Sequence, residues 1–175
     1  MTLKRLNCTY KMIVVSDTSC ISNLYQIGQL RLLTKLFREI FIPPSVFNEL
    51  AIFHTDNLLK ELGSFNIEIH NVNNNNLKNQ IAANGIDAGE VEAIALSIEL
   101  KPDFLVIDEK EGKKVALKYG INTIGIPGVI LLAKEKKLVD CVKPLFDSLR
   151  NNTKFYFSNS LYLFLIKAAG ENTNT

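Results

Sequence analysis

The chain has 175 residues, of which 47% are hydrophobic and 22% are charged. This length and composition predict a single globular domain and exclude a disordered chain. Twenty basic and eighteen acidic side chains give a net charge of +2, which excludes the strong overall basicity of a protein that coats nucleic acid. The longest uncharged run, residues 119–133, contains three glycines and a proline and is too short to span a membrane.

The first half of the chain contains apolar runs of two kinds. Short continuous runs are typical of strands covered on both faces, whereas an apolar residue at every third or fourth position indicates a helix. In chain order, the pattern predicts a strand at 12–16, helices over 21–37 broken near Gly28, a strand at 39–42, a helix starting after Pro43-Pro44, a strand over 67–72 and a polar loop at 73–76.

The second half continues the alternation of strands and helices. In chain order, it predicts a helix at 87–100, a strand at 104–107, a helix at 112–119, a strand at 121–124 and helices at 127–134, 140–149 and 158–169. Five strands separated by helices imply a three-layer α/β/α domain with a mostly parallel five-stranded sheet. We expect this domain to span residues 12–170, between an N-terminal extension (1–11) and a flexible tail (171–175).

The three cysteines of the chain are Cys8, Cys20 and Cys141. Their odd number and the absence of a C-x-x-C spacing argue against a disulfide framework or a zinc site. We therefore expect the protein to reside in the reducing environment of the cytoplasm.

Acidic residues directly follow two of the predicted strands. Asp17 comes after the first strand, and Asp108 comes after the fourth strand and is followed by Glu109. Ligands of open parallel sheets bind beyond the carboxyl ends of the strands. If these two strands are neighbours, both aspartates face one crevice, and Glu49 and Glu90, early in their helices, can reach the same edge.

Carboxylates that converge in a crevice repel one another, and hard cations relieve that repulsion. Mg²⁺ prefers a few carboxylates together with waters and a substrate phosphate. One or two such ions can activate water and stabilise the leaving oxygen in phosphodiester hydrolysis. The four acids therefore indicate a metal-dependent hydrolase.

Each acid also has a plain structural interpretation. Asp17 begins D-T-S and can cap the following helix, and Glu90 can complete a capping box with Asp87. Asp108 can complement a helix dipole, and Glu49 can be a solvated acid on a helix surface. These alternatives stay open at the level of sequence.

Two other classes of site fit the sequence less well. An aspartyl phosphatase is conceivable because D-T-S follows the first strand, but that chemistry needs a second carboxylate two residues after the nucleophile, where this chain has Ser19. A dinucleotide-binding domain needs a glycine-rich turn after the first strand. No such turn is present, so this class is excluded.

Several short motifs occur in a fixed order along the chain. They are VVSDTS at 14–19, PPSVFNEL at 43–50, DAGEVEAIAL at 87–96, LVIDEKEGKKVA at 105–116, GVILLAK at 128–134 and AAGE at 168–171. In this order and spacing they resemble the PIN-domain family of metal-dependent ribonucleases over nearly the whole chain. Within that family the sequence is most similar to the small prokaryotic group of VapC-type toxins.

The resemblance implies a strand order of 3-2-1-4-5 and a catalytic site built by four acids. They are Asp17, Glu49, Glu90 and Asp108. Of these, Asp17, Glu90 and Asp108 would bind Mg²⁺ or Mn²⁺ with Glu49 assisting, and Thr18 or Ser19 would support Asp17 by hydrogen bonding. Three positions depart from the family pattern, since Glu109 stands where a second Asp is frequent, Lys113 where Arg is frequent and Ile126 near a frequent Thr.

The resemblance also implies what the protein does and with which partners. We expect an endoribonuclease that hydrolyses RNA phosphodiester bonds as the toxin of a toxin–antitoxin pair, held by a small antitoxin and forming a homodimer away from membranes. The alternative is a catalytically silent module of the same fold that binds nucleic acid or protein. Lys113 and Lys114 follow Asp108 and are expected RNA contacts, with a solvated helix face as the other interpretation.

Overall fold

The computed structural model of the protein describes residues 12–53 and 56–172. The predicted extension at 1–11 and residues 173–175 of the predicted tail lie outside these ranges. The strands are β1 (Met12–Ser16), β2 (Phe37–Ile42), β3 (Ile67–Ile69), β4 (Phe104–Val106) and β5 (Thr123–Ile124). The helices are α1 (Thr18–Gln26), α2 (Arg31–Leu36), α3 (Pro44–Phe53), α4 (Asp56–Gly63), α5 (Asn75–Ala82), α6 (Ala88–Leu100), α7 (Lys110–Lys118), α8 (Ile126–Glu135), α9 (Lys143–Asn152) and α10 (Asn159–Ala168).

The strands form one parallel sheet of order β3-β2-β1-β4-β5, which confirms the predicted fold. The central strand β1 pairs with β2 on one side and with β4 on the other. The chain first moves outward from β1 to β2 and later returns to β4, so the strand order reverses between β1 and β4. Open α/β sheets bind ligands at such a point.

Helices cover both faces of the sheet, as the alternation of side chains in β1 shows. Val14 lies in a core formed with α1–α4 and α8–α10, whereas Val15 lies in a second core with α5–α7. Both valines are fully buried. Because successive side chains of a strand point to opposite faces, this arrangement establishes three layers. No helix within the described ranges is long and apolar enough to cross a membrane.

Two helices, α4 and α5, were not predicted, and the predicted polar loop at 73–76 is wrong in its second half. Asn74 caps α5, which begins at Asn75, by accepting a hydrogen bond from the backbone N–H of Leu77 at 3.0 Å. The carboxylate of Glu99, on α6, also accepts hydrogen bonds from the backbone N–H groups of Asn73 and Asn74. Consecutive asparagines favour loops and helix caps over helix interiors. The hydrogen bonds from Asn73 and Asn74 to Glu99 fix the backbone directly before α5, which helps the helix to begin at Asn75.

Candidate active site

A cleft of about 630 Å³ lies beyond the carboxyl ends of β1 and β4, at the point where the strand order reverses. Five acidic side chains line it, namely Asp17, Glu49, Asp87, Glu90 and Glu109. Lys154 is the single basic residue among the described residues that line the cleft. The cleft therefore has an excess of negative charge, which favours a cationic or cation-bridged ligand.

Asp17 joins β1 to α1 and is almost fully buried. Its backbone N–H continues the pairing of β1 with β4 by donating to the carbonyl oxygen of Val106 at 3.1 Å. Its Oδ1 accepts a hydrogen bond from the backbone N–H of Cys20, and its Oδ2 accepts one from Oγ of Ser19, both at 2.9 Å. Asp17 is thus the cap of α1 and also a cleft residue, so the two interpretations of the sequence coexist.

Burial raises the pKa of Asp17 to about 6, against the lowering effect of the hydrogen bonds from Cys20 and Ser19. The negative charge of Asp108 adds to the increase. Repulsion between converging carboxylates is therefore present, but loss of hydration is the larger cause.

Glu49 reaches the cleft from α3 and is held by a residue of α1. Oγ1 of Thr18 donates a hydrogen bond to Oε2 of Glu49 at 2.5 Å. The two hydroxyls that follow Asp17 in sequence therefore orient different carboxylates, Ser19 that of Asp17 and Thr18 that of Glu49. The D-T-S motif organises two acids, where the resemblance implied support for one.

Glu90 lies in the first turn of α6, where its Oε2 accepts a hydrogen bond from the backbone N–H of Asp87 at 3.1 Å, as in a capping box. Its Oε1 is buried and has no hydrogen-bond partner. Burial raises the pKa of Glu90, and the negative charges of Asp87, Glu109 and Glu49 contribute to the increase. An unpartnered buried carboxylate oxygen is costly, so a cation beside it would be stabilising.

Asp108 follows β4 and, unlike Asp17, Glu49 and Glu90, is not among the described residues that line the cleft. Three groups hold its carboxylate. Its Oδ2 accepts hydrogen bonds from the backbone N–H of Ile126 at 2.9 Å and from Sγ of Cys20 at 3.2 Å. Its Oδ1 lies 3.3 Å from Nζ of Lys113. The residue at 126 thus contributes its backbone N–H, which does not depend on the side chain at that position.

Three glycines make room for three of the carboxylates. A β-carbon at Gly112 would lie 2.3 Å from Oε1 of Glu90, and one at Gly125 would lie 2.2 Å from Oδ1 of Asp108. A β-carbon at Gly89 would lie 3.0 Å from Oε1 of Glu49. The sequence analysis missed these glycines, although glycine at a helical position such as 112 costs about 1 kcal/mol relative to alanine and so needs a reason.

The predicted lysine contacts do not line the cleft. Lys113 pairs with Asp108, and Lys114 forms an exposed ion pair of 2.7 Å with Glu111. Their role in RNA binding stays a prediction. The sequence analysis also missed Cys20, whose thiol is fully buried beside two acids, and Lys154. Neither residue carries a local sequence signal, because tertiary folding brings Lys154 to the cleft and Cys20 against Asp108.

The donors around the cleft suit a hard divalent cation, since carboxylate oxygens are the ligands that Mg²⁺ and Mn²⁺ prefer. Nowhere in residues 12–53 and 56–172 do three Asp, Glu, His or Cys side chains gather closely enough to hold a metal ion by themselves. Mg²⁺ commonly binds through one or two carboxylates and retains several waters. The residues therefore fit an ion held by few carboxylates rather than a closed protein cage.

These features define a three-layer α/β/α domain with an acidic ligand cleft where the strand order reverses. A family model described as a PIN domain matches residues 13–171, and the chain therefore belongs to the PIN-domain family. PIN domains are generally nucleases. No curated protein matches the chain.

Proposed function

We propose that the protein is an endoribonuclease that depends on Mg²⁺ or Mn²⁺ and acts as the toxin of a toxin–antitoxin pair in the cytoplasm. The observation that carries this proposal is the cleft itself, where five acidic side chains face a single lysine and one buried oxygen of Glu90 has no partner. Such a site stabilises a cation, and a cation attracts the phosphates of RNA.

Asp17, Glu90 and Asp108 would hold the ion, one or two of them directly and the rest through its coordinated waters, with Glu49 assisting. When bound, the ion lowers the pKa of a coordinated water and stabilises the leaving oxygen of the phosphodiester. Burial of Asp17 strengthens every electrostatic interaction at that end of the cleft. Hydrogen bonds from Ser19 and Cys20 hold the carboxylate of Asp17 in a fixed orientation. A ligand positioned in this way needs no reorganisation during the reaction.

A partner protein and a second copy of the chain are also part of the proposal. Three apolar side chains of α10, Leu161, Leu163 and Phe164, are exposed, although an apolar C-terminal helix more often packs into a core. Apolar side chains exposed on one helix suit a protein interface. We propose that they contribute to a homodimer, and that a small antitoxin blocks access to the cleft.

A catalytically silent module is the second candidate, and one observation favours it. Both carboxylate oxygens of Asp108 already have partners, Oδ1 with Lys113 and Oδ2 with Ile126 and Cys20. An ion that used Asp108 would compete with Lys113 for Oδ1. If no ion reaches Asp108, the cleft binds a ligand without cleaving it.

Cleavage of end-labelled single-stranded RNA separates the two candidates. We expect the purified protein to cut the RNA internally with Mn²⁺ or Mg²⁺, to stop when a chelator is added and to resume when the metal is restored. DNA of the same sequence serves as the control for substrate class. Binding of RNA without cleavage at any metal concentration would instead establish the silent module, and cleavage that persists in chelator would exclude metal dependence.

A further inference from the structure

The cleft continues past the acids along α1, into a part of the molecule that the proposed chemistry does not use. Ser22, Asn23 and Gln26 of α1 line the cleft beyond Asp17, and Lys154, which follows α9, lines the same cleft. These three positions of α1 are spaced so that they lie on one helix face. Since a helix rises 1.5 Å per residue, Gln26 lies roughly 13 Å along the helix axis from Asp17.

The size of the cleft exceeds what an ion and its waters need. Its volume of about 630 Å³ is typical of sites that hold small organic ligands, which measure ~300–1,000 Å³. A water molecule takes up only ~30 Å³. The α1 end therefore has room for a nucleotide beside an ion at the acidic end.

The cleft combines five acids with one lysine, a set of charges that suits a nucleic-acid strand and a bridging cation. Lys154 is exposed and forms no ion pair with another described residue. A cation held by the acids and a lysine lining the same cleft would let two phosphates of one strand meet positive charge. Phosphate contacts of this kind fix the register of a strand without reading its sequence.

Asn23 has the chemistry to read a base. Its Nδ2 donates to the backbone carbonyl oxygen of Ser19 at 2.8 Å, and because a carbonyl can only accept, the amide orientation is fixed. Oδ1 is then the atom of this side chain that accepts a hydrogen bond from a ligand. The part of the cleft that the structure describes has no aromatic lining residue, so stacking on a ring, the usual basis of sequence-tolerant binding, is not offered there.

We propose that this α1 end is a subsite for the unpaired nucleotide next to the cleaved phosphodiester. Lys154 contacts the adjacent phosphate, and Oδ1 of Asn23 accepts a hydrogen bond from an exocyclic amino group of the base. Cytosine carries such a group at the position where uracil carries a carbonyl oxygen. The subsite therefore favours cytidine over uridine. This inference rests on the proposed function, because it takes RNA as the ligand of the acidic end.

The phosphate contact is tested by the salt dependence of binding. Anisotropy of fluorescein-labelled oligocytidine is measured with Ca²⁺ present, for the wild type, Lys154→Ala and the control Lys136→Ala. Lys136 is exposed and follows α8, about 15 Å from the end of that helix that contacts Asp108. We expect Lys154→Ala alone to weaken binding and to reduce the slope of log affinity against log salt by about 0.7, the value for one phosphate of a single strand.

The base contact is tested by comparing oligocytidine with oligouridine of the same length. We expect the wild type to bind oligocytidine about fivefold more tightly, as one hydrogen bond allows, and Asn23→Ala to bind both equally. Asn23→Ala that keeps the preference, or Lys154→Ala that keeps the wild-type affinity and salt slope, would overturn the subsite.

The subsite and the proposed reaction can fail separately. RNA that binds with the expected dependence on Lys154 and Asn23 but is never cut would overturn the hydrolysis and leave the subsite standing. RNA that is cut with the same KM and base preference by the wild type, Lys154→Ala and Asn23→Ala would overturn the subsite and leave the hydrolysis standing. RNA that binds neither with Ca²⁺ nor with Mn²⁺ present would overturn both the subsite and the hydrolysis.

Discussion

The thiol of Cys20 donates a hydrogen bond to Oδ2 of Asp108 at 3.2 Å. The backbone N–H of the same residue donates to Oδ1 of Asp17. One residue in the first turn of α1 therefore connects the two acids that follow β1 and β4. Burial raises the pKa of the Cys20 thiol, and the charges of Asp108 and Asp17 raise it further, so the thiol stays protonated and remains a donor.

Replacing Cys20 should separate its two contacts, because only one of them uses the side chain. Cys20→Ala removes the donor to Asp108 and leaves the backbone bond to Asp17. We expect Mn²⁺ affinity, measured by calorimetry, to fall roughly tenfold, the smaller of the effects seen when an outer hydrogen bond to a ligand is lost. Cys20→Ser restores a donor and should recover most of the affinity. Equal affinities for all three proteins would show that the thiol does not position Asp108.

The raised pKa of Asp17 makes stability depend on pH in a defined direction. The folded protein binds this proton more tightly than the unfolded chain, since the pKa rises from 3.8 to about 6. The contribution of Asp17 to stability is therefore fully present below pH 3.8 and is lost as the pH rises through 6. The loss amounts to roughly 3 kcal/mol at neutral pH.

Asp17→Asn abolishes this titration and keeps an equally good helix cap. In chelator, the variant should unfold at higher denaturant than the wild type at pH 8, and the difference should shrink as the pH falls from 7 toward 4. Added Mn²⁺ should stabilise the wild type more than the variant. A variant that is less stable than the wild type at pH 8, yet gains as much from Mn²⁺, would identify Asp17 as a cap alone.

Much of the fold could be predicted because its signals are local. The apolar run at 12–16 coincides with β1, and the pattern from Asp87 to Leu100 coincides with α6 and its cap. The helix α5 was missed, since its asparagine-rich start is typical of a loop and is held partly by Glu99, which lies 25 residues from Asn74 in sequence. The periodicity of apolar residues indicates which residues of one element share a face, but it does not indicate contacts between elements that are distant in sequence.

The candidate site was likewise predictable only where its signals are local in sequence. Strand ends identified Asp17 and Asp108 because parallel strands bring their carboxyl ends to one edge. The orientation of each acid was not predictable, because it depends on partners such as Cys20 and Ile126 that show no chemical signature in sequence. The pairing of Lys113 with Asp108 likewise follows from packing of α7 and not from charge pattern.

The contact between Gly112 and Glu90 can be tested by adding one methyl group. Gly112→Ala would place a β-carbon 2.3 Å from Oε1 of Glu90, so Glu90 must move. We expect weaker Mn²⁺ binding and a loss of stability of about 1–3 kcal/mol in denaturant unfolding. Gly63→Ala is the control, because nothing lies within 4 Å of its β-carbon, and it should leave both quantities unchanged. Gly112→Ala that behaves like the control would refute the contact.

Glu171 connects the end of the chain to the rest of the domain. Its carboxylate accepts hydrogen bonds from the backbone N–H groups of Val142 and Lys143, and it pairs with Lys134 at 3.0 Å. Burial disfavours the ionised carboxylate, but these three donors outweigh it and lower the pKa of Glu171. The AAGE motif therefore has a structural role at the start of α9.

Glu171→Gln should lower the free energy of unfolding by about 1–2 kcal/mol, because it weakens a helix cap and an ion pair. The difference from the wild type should begin to shrink as the pH falls below the usual pKa of a glutamate, and it should disappear only below the lowered pKa of the folded carboxyl, where that group is neutral too. Mn²⁺ affinity should not change, which calorimetry on the same samples checks. A Glu171→Gln protein with wild-type stability at neutral pH would contradict this role.

The most direct test of the account compares RNA cleavage by two variants of neighbouring glutamates on α6. Glu90→Gln removes a charge from the cleft, whereas Glu92→Gln alters a side chain that binds the backbone N–H of Ser45 and Nζ of Lys78 on the other side of the helix. With saturating Mn²⁺, Glu90→Gln should lose more than about hundredfold in cleavage rate, since even changes behind a ligand cost ~10–100-fold, and Glu92→Gln should cut at nearly the wild-type rate. Wild-type cleavage by Glu90→Gln, or loss of cleavage by Glu92→Gln in a folded protein, would contradict the assignment of the cleft as the active site.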